Sequence, residues 1–263
     1  MGVLNVTPDS FSDGGVCEGE RAACARVDEL MGEGADLIDV GGESTRPGAA
    51  PVPAGEQRRR VEPAIRHARA RGAVVSIDTT SRDVAAAALD LGASIVNDVS
   101  CLADVGLAAL TASRGAALIV MHSRGSMEAM RGFSDVPEDA YSDVALEVAL
   151  ELAAARERAV RAGMPPELVL LDPGLGFHKS ARHSYAVLAR LPSLVGLGAQ
   201  VVVGASRKSF LARDVGGSPT SRLGGSVAAA LAAARAGAAV VRVHDVHATR
   251  QALAVDAALA EAR

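Results

Sequence analysis

The chain has 263 residues, of which 49% are hydrophobic, 2% aromatic and 22% charged, with a formal net charge of −4. That length suits one large domain or two small ones, and so few aromatics demand an aliphatic core built from Ala, Val and Leu. The absence of a long basic block excludes nucleic acid as a partner, and no apolar run approaches the roughly 18 residues of a membrane span.

Arg58-Arg59-Arg60 reads as a solvated helix face. The N-terminus lacks the charged start of a signal peptide. Cys17, Cys24 and Cys101 have no metal-binding spacing and do not form an even disulfide set, which predicts reduced thiols. The expectation is a soluble cytoplasmic protein.

Eight short apolar runs punctuate the chain: "GVLNV" (2–6), "LIDVGG" (37–42), "AVVSIDT" (73–79), "SIVNDVS" (94–100), "AALIVMH" (116–122), "LVLLDPG" (168–174), "QVVVGAS" (200–206) and "VVRVHDV" (240–246). They are apolar throughout rather than alternating, as parallel strands covered on both sides should be. Between them lie longer Ala-, Glu- and Arg-rich stretches. In residues 20–34, Ala23, Val27, Leu30 and Met31 share a helical face, and Gly32 and Gly34 stop the helix. The fifth gap predicts a loop near 123–137 and a helix near 138–161. "GGSPT" (216–220) splits the seventh gap into two helical pieces.

Eight strand–helix units at this length predict an α/β fold, a (β/α)8 TIM barrel forming one domain over residues 1–263. An open doubly wound sheet is the rival, but strand 1 is not followed by a G-x-G-x-x-G turn. Active sites of such barrels lie at the C-terminal ends of the strands, so polar residues should gather there. Asn5 ends strand 1; Asp39 lies in strand 2, with Glu43 after it. Asp78, Asn97, His122 and Asp172 end strands 3 to 6. Ser206, Arg207 and Lys208 follow strand 7, and Arg242 and His244 end strand 8.

Asp78, Asn97, Asp172 and Lys208 suit a flat, nitrogen-rich heterocycle: carboxylates take N–H donors from an aminopyrimidine edge and the ammonium reaches a ring carbonyl. Arg242 and His244 are two apart on one strand and point the same way. With Arg46 they can grip a phosphate or diphosphate; the competing reading is a salt-bridged barrel plug. The loops at 5–15 and 41–49 exceed the ~2–6 residues usual for a βα connection, which makes them candidate lids. Phe11, Phe177 and Phe210 fall just past strand ends, where they can stack on planar ligands. A bound diphosphate would bring Mg²⁺, which keeps waters and phosphate oxygens in its shell, and Asn5 is the best-placed amide oxygen.

Taken together, "MGVLNVTPDSFSDGG", "DVGGESTRPGA", "SIDT", "VNDVS", "MHSRG", "LDPGLGFHK", "VGASRKSF" and "RVHDV" resemble the dihydropteroate synthases, in order and over nearly the whole chain. The resemblance implies a homodimeric transferase of folate biosynthesis, the sulfonamide target. Its members join 6-hydroxymethyl-7,8-dihydropterin diphosphate to p-aminobenzoate with Mg²⁺ assistance. It assigns Asp78, Asn97, Asp172 and Lys208 to the pterin pocket. Asn5, Arg46, Arg242 and His244 match the diphosphate and metal site, with Asn5 on the metal. Phe11, Thr45, Pro47, Phe177, Lys208 and Ser209 match the p-aminobenzoate site. The implied reaction is SN1-like, with Asp172, Lys208, Arg46 and His244 as the residues carrying the chemistry and Asp172 stabilising a pterin methylene cation. A pterin-dependent methyltransferase domain would not need "STRPG", "SRKSF" or "RVHDV", and a non-catalytic paralogue would be expected to have lost loop 1 or Arg46.

Overall fold

The structure, a computed structural model of the chain, describes residues 1–7, 16–44, 50–125, 136–212 and 216–262. The eight apolar runs become eight parallel strands, each followed by helix, as a TIM barrel requires. β1 (Gly2–Asn5), β2 (Leu37–Gly41), β3 (Val74–Asp78), β4 (Ile95–Asp98), β5 (Ala117–Met121) and β6 (Val169–Asp172) pair in sequence order, and β7 (Val202–Val203) pairs with β8 (Val240–Val241). Two bridges close the ring. Leu171 pairs with Val201 between β6 and β7, and Gly2 pairs with Val243 between β8 and β1. Val3 N donates to Val243 O at 3.0 Å and Val243 N to Met1 O at 2.9 Å across that last seam. The seventh and eighth runs thus form shorter ladders than 200–206 and 240–246 suggest, because single bridges rather than extended pairing hold their outer edges.

The helices α1 (Val16–Gly32), α2 (Ala54–Ala70), α3 (Arg82–Asp90), α4 (Val105–Ser113), α5 (Val144–Arg161), α6 (Ala181–Ala189), α7 (Leu191–Val195), α8 (Leu223–Arg235) and α9 (Val246–Glu261) follow in chain order. On α1, Ala23, Val27 and Leu30 are fully buried, as the spacing predicts. The helix ends two residues before Gly34, whose φ of +89° places it in the left-handed region that favours glycine.

α5 begins at residue 144 rather than near 138, because Asp143 caps it by accepting from Leu146 N at 3.1 Å. Glu147 then reaches back to accept from Ser142 N and Asp143 N at 2.7 and 2.9 Å, spending those donors outside the helix. Of the two pieces in the seventh gap, the first is only a 3-10 turn (Ser209–Ala212); a second such turn (Pro219–Arg222) leads into α8. Cys24 and Cys101 carry free thiols, as expected. Among the described residues, no helix is long and apolar enough to cross a membrane.

Strand periodicity of two divides the core. Outward residues such as Ile38, Val40, Val75, Ile77, Val96, Leu118, Val120 and Leu171 pack under the helices in the main aliphatic cluster. Each such side chain contributes on the order of 1.5–3 kcal/mol when fully buried. Inward residues Met1, Ile95, Ile119, Leu170 and Val202, with Leu37, Ala117 and Val240 against them, fill the barrel floor. Two residues further along the same strands stand Asp39, Asn97, Met121, Asp172, Gly204 and Arg242. The sequence therefore turns from apolar to polar at one level of the barrel.

Candidate active site

Arg242, on the chain just past β8, organises this polar level. Its Nε donates to Asp39 Oδ2 at 2.6 Å and its Nη2 to Asp78 Oδ2 at 2.8 Å. Asn97 Nδ2 also donates to Asp39 Oδ2, at 3.2 Å. The Asp39 side chain is 0% exposed, Asp78 7% and Arg242 20%. Burial alone would lower the Arg242 pKa, but the two carboxylates outweigh it and hold the guanidinium charged. Burial pushes Asp78 up to about 7, against the pull of Arg242. The salt-bridged plug is thus the arrangement Arg242 adopts here, and it is built from two predicted site residues and one, Asp39, that the sequence places in strand 2 without giving it a ligand. The available signal was parity: Asp39 lies between Leu37 and Gly41, all on the inward face of β2, and a lone buried charge needs a partner.

Asp172 ends β6 on the same face. Its Oδ1 accepts from Gly174 N at 2.7 Å, which fixes the carboxylate within the turn that follows. Burial raises its pKa, opposed by Lys208, by the Gly174 N–H and by Arg242. A Cβ placed on Gly204 would lie 3.8 Å from both Asp172 Oδ2 and the Arg242 side chain, so the two groups flank that glycine across the barrel. A Cβ on Gly41 would similarly lie 3.6 Å from Asn5 Oδ1 and 3.5 Å from Asp78 Cβ. Asn5 is exposed at the rim above.

Lys208 reaches into the same space because of the residue before it. Arg207 has φ +61° and is pinned by Asp245, with Nη2–Oδ1 at 2.5 Å and Nε–Oδ2 at 3.0 Å. Lys208 Nζ then bonds Leu175 O and lies 4.3 Å from the centre of the Phe177 ring. Burial lowers Lys208 to about 7, with Asp172 pulling the other way. Phe177 packs with Val99 and Met121 at the mouth. Ser209 opens the 3-10 turn that follows Lys208.

His244 sits beside Ser206. Ser206 Oγ accepts from His244 N and lies 3.1 Å from His244 Nδ1. The hydroxyl proton is not used by the backbone N–H, and when it is directed to Nδ1 the imidazole carries its N–H on Nε2. Burial, Arg242 and Arg207 push His244 down to about 4, so the ring is a neutral donor here rather than a cation.

Two strand-end residues turn the other way. Asp98 faces the helices: its Oδ1 accepts from Ser100 Oγ at 2.6 Å and its Oδ2 from Leu102 N at 2.6 Å. That clamps a turn in which Cys101 and Leu102 have φ of +58° and +56°. His122 lies behind β5, between Glu151 Oε2 at 3.0 Å and Lys179 Nζ at 2.7 Å. The expectation that His122 joins the shared mouth is corrected by its outward parity. Phe210 is likewise core, edge-on to Tyr185 at 5.3 Å. Phe11, Thr45, Arg46 and Pro47, with most of the two candidate lids, lie outside the described residues.

Among the described residues, no group of three or more His, Cys, Asp or Glu is arranged to hold a metal. Asn5 offers one exposed amide oxygen, which fits a cation completed by phosphate oxygens and water rather than a cage of protein ligands.

The family model described as "Pterin binding enzyme" matches residues 1–244. Dihydropteroate synthase of Mycobacterium leprae is 45% identical over 262 residues, covering 97% of this chain and 91% of the relative. Among solved structures, Xanthomonas albilineans dihydropteroate synthase with 4-aminobenzoic acid superposes with a TM-score of 0.89 at 43% identity, over 98% of this chain and 92% of that one. The Xanthomonas albilineans dihydropteroate synthase in complex with 7,8-dihydropteroate gives a TM-score of 0.85 at 39% identity, again over 98% and 92%. Parallel barrel, polar mouth and full-length similarity agree: the chain belongs to the pterin-binding enzymes, and within them to the dihydropteroate synthases, a family of transferases.

Proposed function

We propose that the chain condenses 6-hydroxymethyl-7,8-dihydropterin diphosphate with p-aminobenzoate, giving 7,8-dihydropteroate and diphosphate. The observation that carries this reading is the convergence of Asp78, Asn97, Asp172 and Lys208 on one face of the barrel mouth, with Phe177 over Lys208. Asp172 and Asp78 accept the N–H groups of the aminopyrimidine, Lys208 donates to the ring carbonyl, and Asn97 pairs along the remaining ring edge. Phe177 and Ser209, with Phe11, Thr45 and Pro47, form the p-aminobenzoate site.

The carbon–oxygen bond to diphosphate breaks first and its electron pair leaves with the diphosphate. The exocyclic methylene is left cationic and conjugated with the pterin. Asp172 lies in a buried setting where its charge counts for more than in water. The aniline nitrogen then attacks the methylene and sheds its extra proton to solvent. His244 donates from Nε2 to the departing diphosphate, and Arg46 and Arg242 offset its charge. Asn5 would hold Mg²⁺, which would supply further charge neutralisation at the leaving group. No protein nucleophile is required.

We further assign the enzyme to the cytoplasm, as a homodimer, on family grounds. Incubation with both substrates and Mg²⁺, followed by chromatography for dihydropteroate and an assay of diphosphate release, tests the reading. Product should form, disappear without Mg²⁺, and fall when a sulfonamide competes with p-aminobenzoate. Pterin binding without product would refute it.

A further inference from the structure

Lys179 is a fully buried lysine that the proposed chemistry does not use: it is 0% exposed. Its three donors all have acceptors. Nζ bonds His122 Nδ1 at 2.7 Å, Phe177 O at 3.1 Å and Gly174 O at 3.2 Å. His122 is held in the tautomer this needs, because its Nε2 lies 3.0 Å from the Glu151 carboxylate and donates there, leaving Nδ1 as acceptor. Burial, then the nearby cations Lys179 and Arg124, keep His122 neutral, pushed down to about 2.

The segment wrapped around this ammonium is the turn between β6 and α6. Gly174, Gly176 and His178 have φ of +63°, +81° and +48°, a backbone path that an unassisted chain rarely takes. Other contacts fix its far end. Gly176 N donates to Ser184 Oγ at 3.0 Å, and Tyr141 Oη donates to His178 O at 2.9 Å. Lys179 reaches under the turn to the carbonyl of Phe177 itself and to that of Gly174, which also accepts from Phe177 N at 3.0 Å. The ring of Phe177 and the carbonyl of Leu175, which Lys208 bonds, both ride on this segment.

We infer that Lys179 is a positioning residue for the p-aminobenzoate site: tethered by His122 behind β5, it fixes the 174–177 turn and so the Phe177 ring. The inference rests on the reading of Phe177 as part of that site. It also gives His122 a role, since the imidazole orients the lysine from outside the barrel rather than contributing to the mouth. Burial lowers the Lys179 pKa to about 7, as expected for an ammonium enclosed by neutral acceptors.

The test compares wild type with Lys179→Met, which keeps the length and removes the donors, in steady-state kinetics on both substrates, with thermal melting as a control for folding. The wild type is assayed first: if it makes no dihydropteroate, the functional reading fails, and the positioning role falls with it. If it does, Lys179→Met should raise KM for p-aminobenzoate about tenfold, the effect of losing one well-made contact. KM for the pterin diphosphate should rise by a clearly smaller factor, because Asp172 and Lys208 touch the turn while Asp78 and Asn97 do not. A purely structural lysine would lower the melting temperature and the active fraction and leave both KM values in place, and that result would overturn the inference. If Lys179→Met does not fold, His122→Gln, which disturbs the tether but leaves both carbonyl bonds, is judged by the same split between the two KM values.

Discussion

Replacing Arg242 by Met would remove the guanidinium that bridges Asp39 and Asp78 and leave the level above the barrel floor with two buried carboxylates facing each other. The two bonds lost are 2.6 and 2.8 Å long, and the carboxylates they reach are 0% and 7% exposed, so both lose a partner in a buried setting. Breaking a buried pair by removing one partner costs about 3–5 kcal/mol, most of it the penalty on the stranded charge. Asp78 already sits near 7 with Arg242 present, and without it the value rises further. A carboxyl whose folded-state pKa lies above its unfolded value supports the fold at low pH and ceases to as pH rises through the folded value. The part of the Arg242→Met deficit that titrates with Asp78 should therefore be near zero at pH 5 and reach about 1.4 kcal/mol by pH 8, the linkage limit for one proton over the pH unit above 7. Chemical denaturation of both proteins at the two pH values measures it, and Asp39→Asn combined with Arg242→Met should recover part of the loss by removing one stranded charge. A gap below about 1 kcal/mol at pH 8, or one that does not change with pH, would refute the reasoning. The same substitution should weaken diphosphate binding, which ligand titration reads independently.

Three further outcomes follow from the site. Asp172→Asn should lower kcat at least about 100-fold, the scale of removing one preorganised electrostatic contact. It should leave the melting temperature near wild type, because burial already disfavours the charged carboxyl; unchanged kcat would remove Asp172 from the mechanism. Gly174→Ala should cost about 1–3 kcal/mol or more in stability, since φ is +63° and the new Cβ would meet His122 O at 2.0 Å; a variant as stable as wild type in denaturant would show that the turn relaxes freely. Lys208 lies near 7 in the free enzyme, so at pH 8 it is mostly neutral, and a ring carbonyl that prefers the ammonium should draw a proton onto it. Calorimetry of pterin binding in buffers of different ionisation heat should then show proton uptake at pH 8 that fades at pH 6; release at pH 8 would contradict the role given to Lys208.

Much of the architecture was legible because parallel strands buried on both sides must be apolar throughout, and eight such runs leave few alternatives to a closed barrel. The site was legible where the polar strand ends are inward: Asp78, Asn97, Asp172, Arg242 and His244 all have that parity. Position along the chain does not by itself separate Asn97 from Asp98, or an inward residue from His122. The pleat does, since Ile95 and Asn97 share one face while Val96 and Asp98 share the other, and His122 lies an odd number of residues from Ala117. Lys179 could not be read from sequence because its acceptors are mostly backbone carbonyls, created only when the 174–178 turn folds. The plug at Arg242 was weighed as an alternative to anion binding. Its carboxylate partners come from strands 203 and 164 residues away, a pairing that only closure of the ring produces.

The change from apolar floor to charged mouth also places the two ends of the proposed reaction. At depth, Asp39, Asp78 and Asp172 outnumber Arg242, and Lys208 is poised between its charged and neutral forms. Carboxyl oxygens at this depth favour a ligand that presents N–H donors and develops positive charge. The groups that suit an anion stand nearer the rim: Asn5 is exposed, and the neutral His244 is oriented by Ser206 with Nε2 as its free donor. Heterolysis of the pterin–diphosphate bond would therefore leave the cation beside Asp172 and send the anion toward solvent. The fold creates that arrangement before any substrate arrives, because β2, β6 and β8 are fixed by the aliphatic floor beneath them.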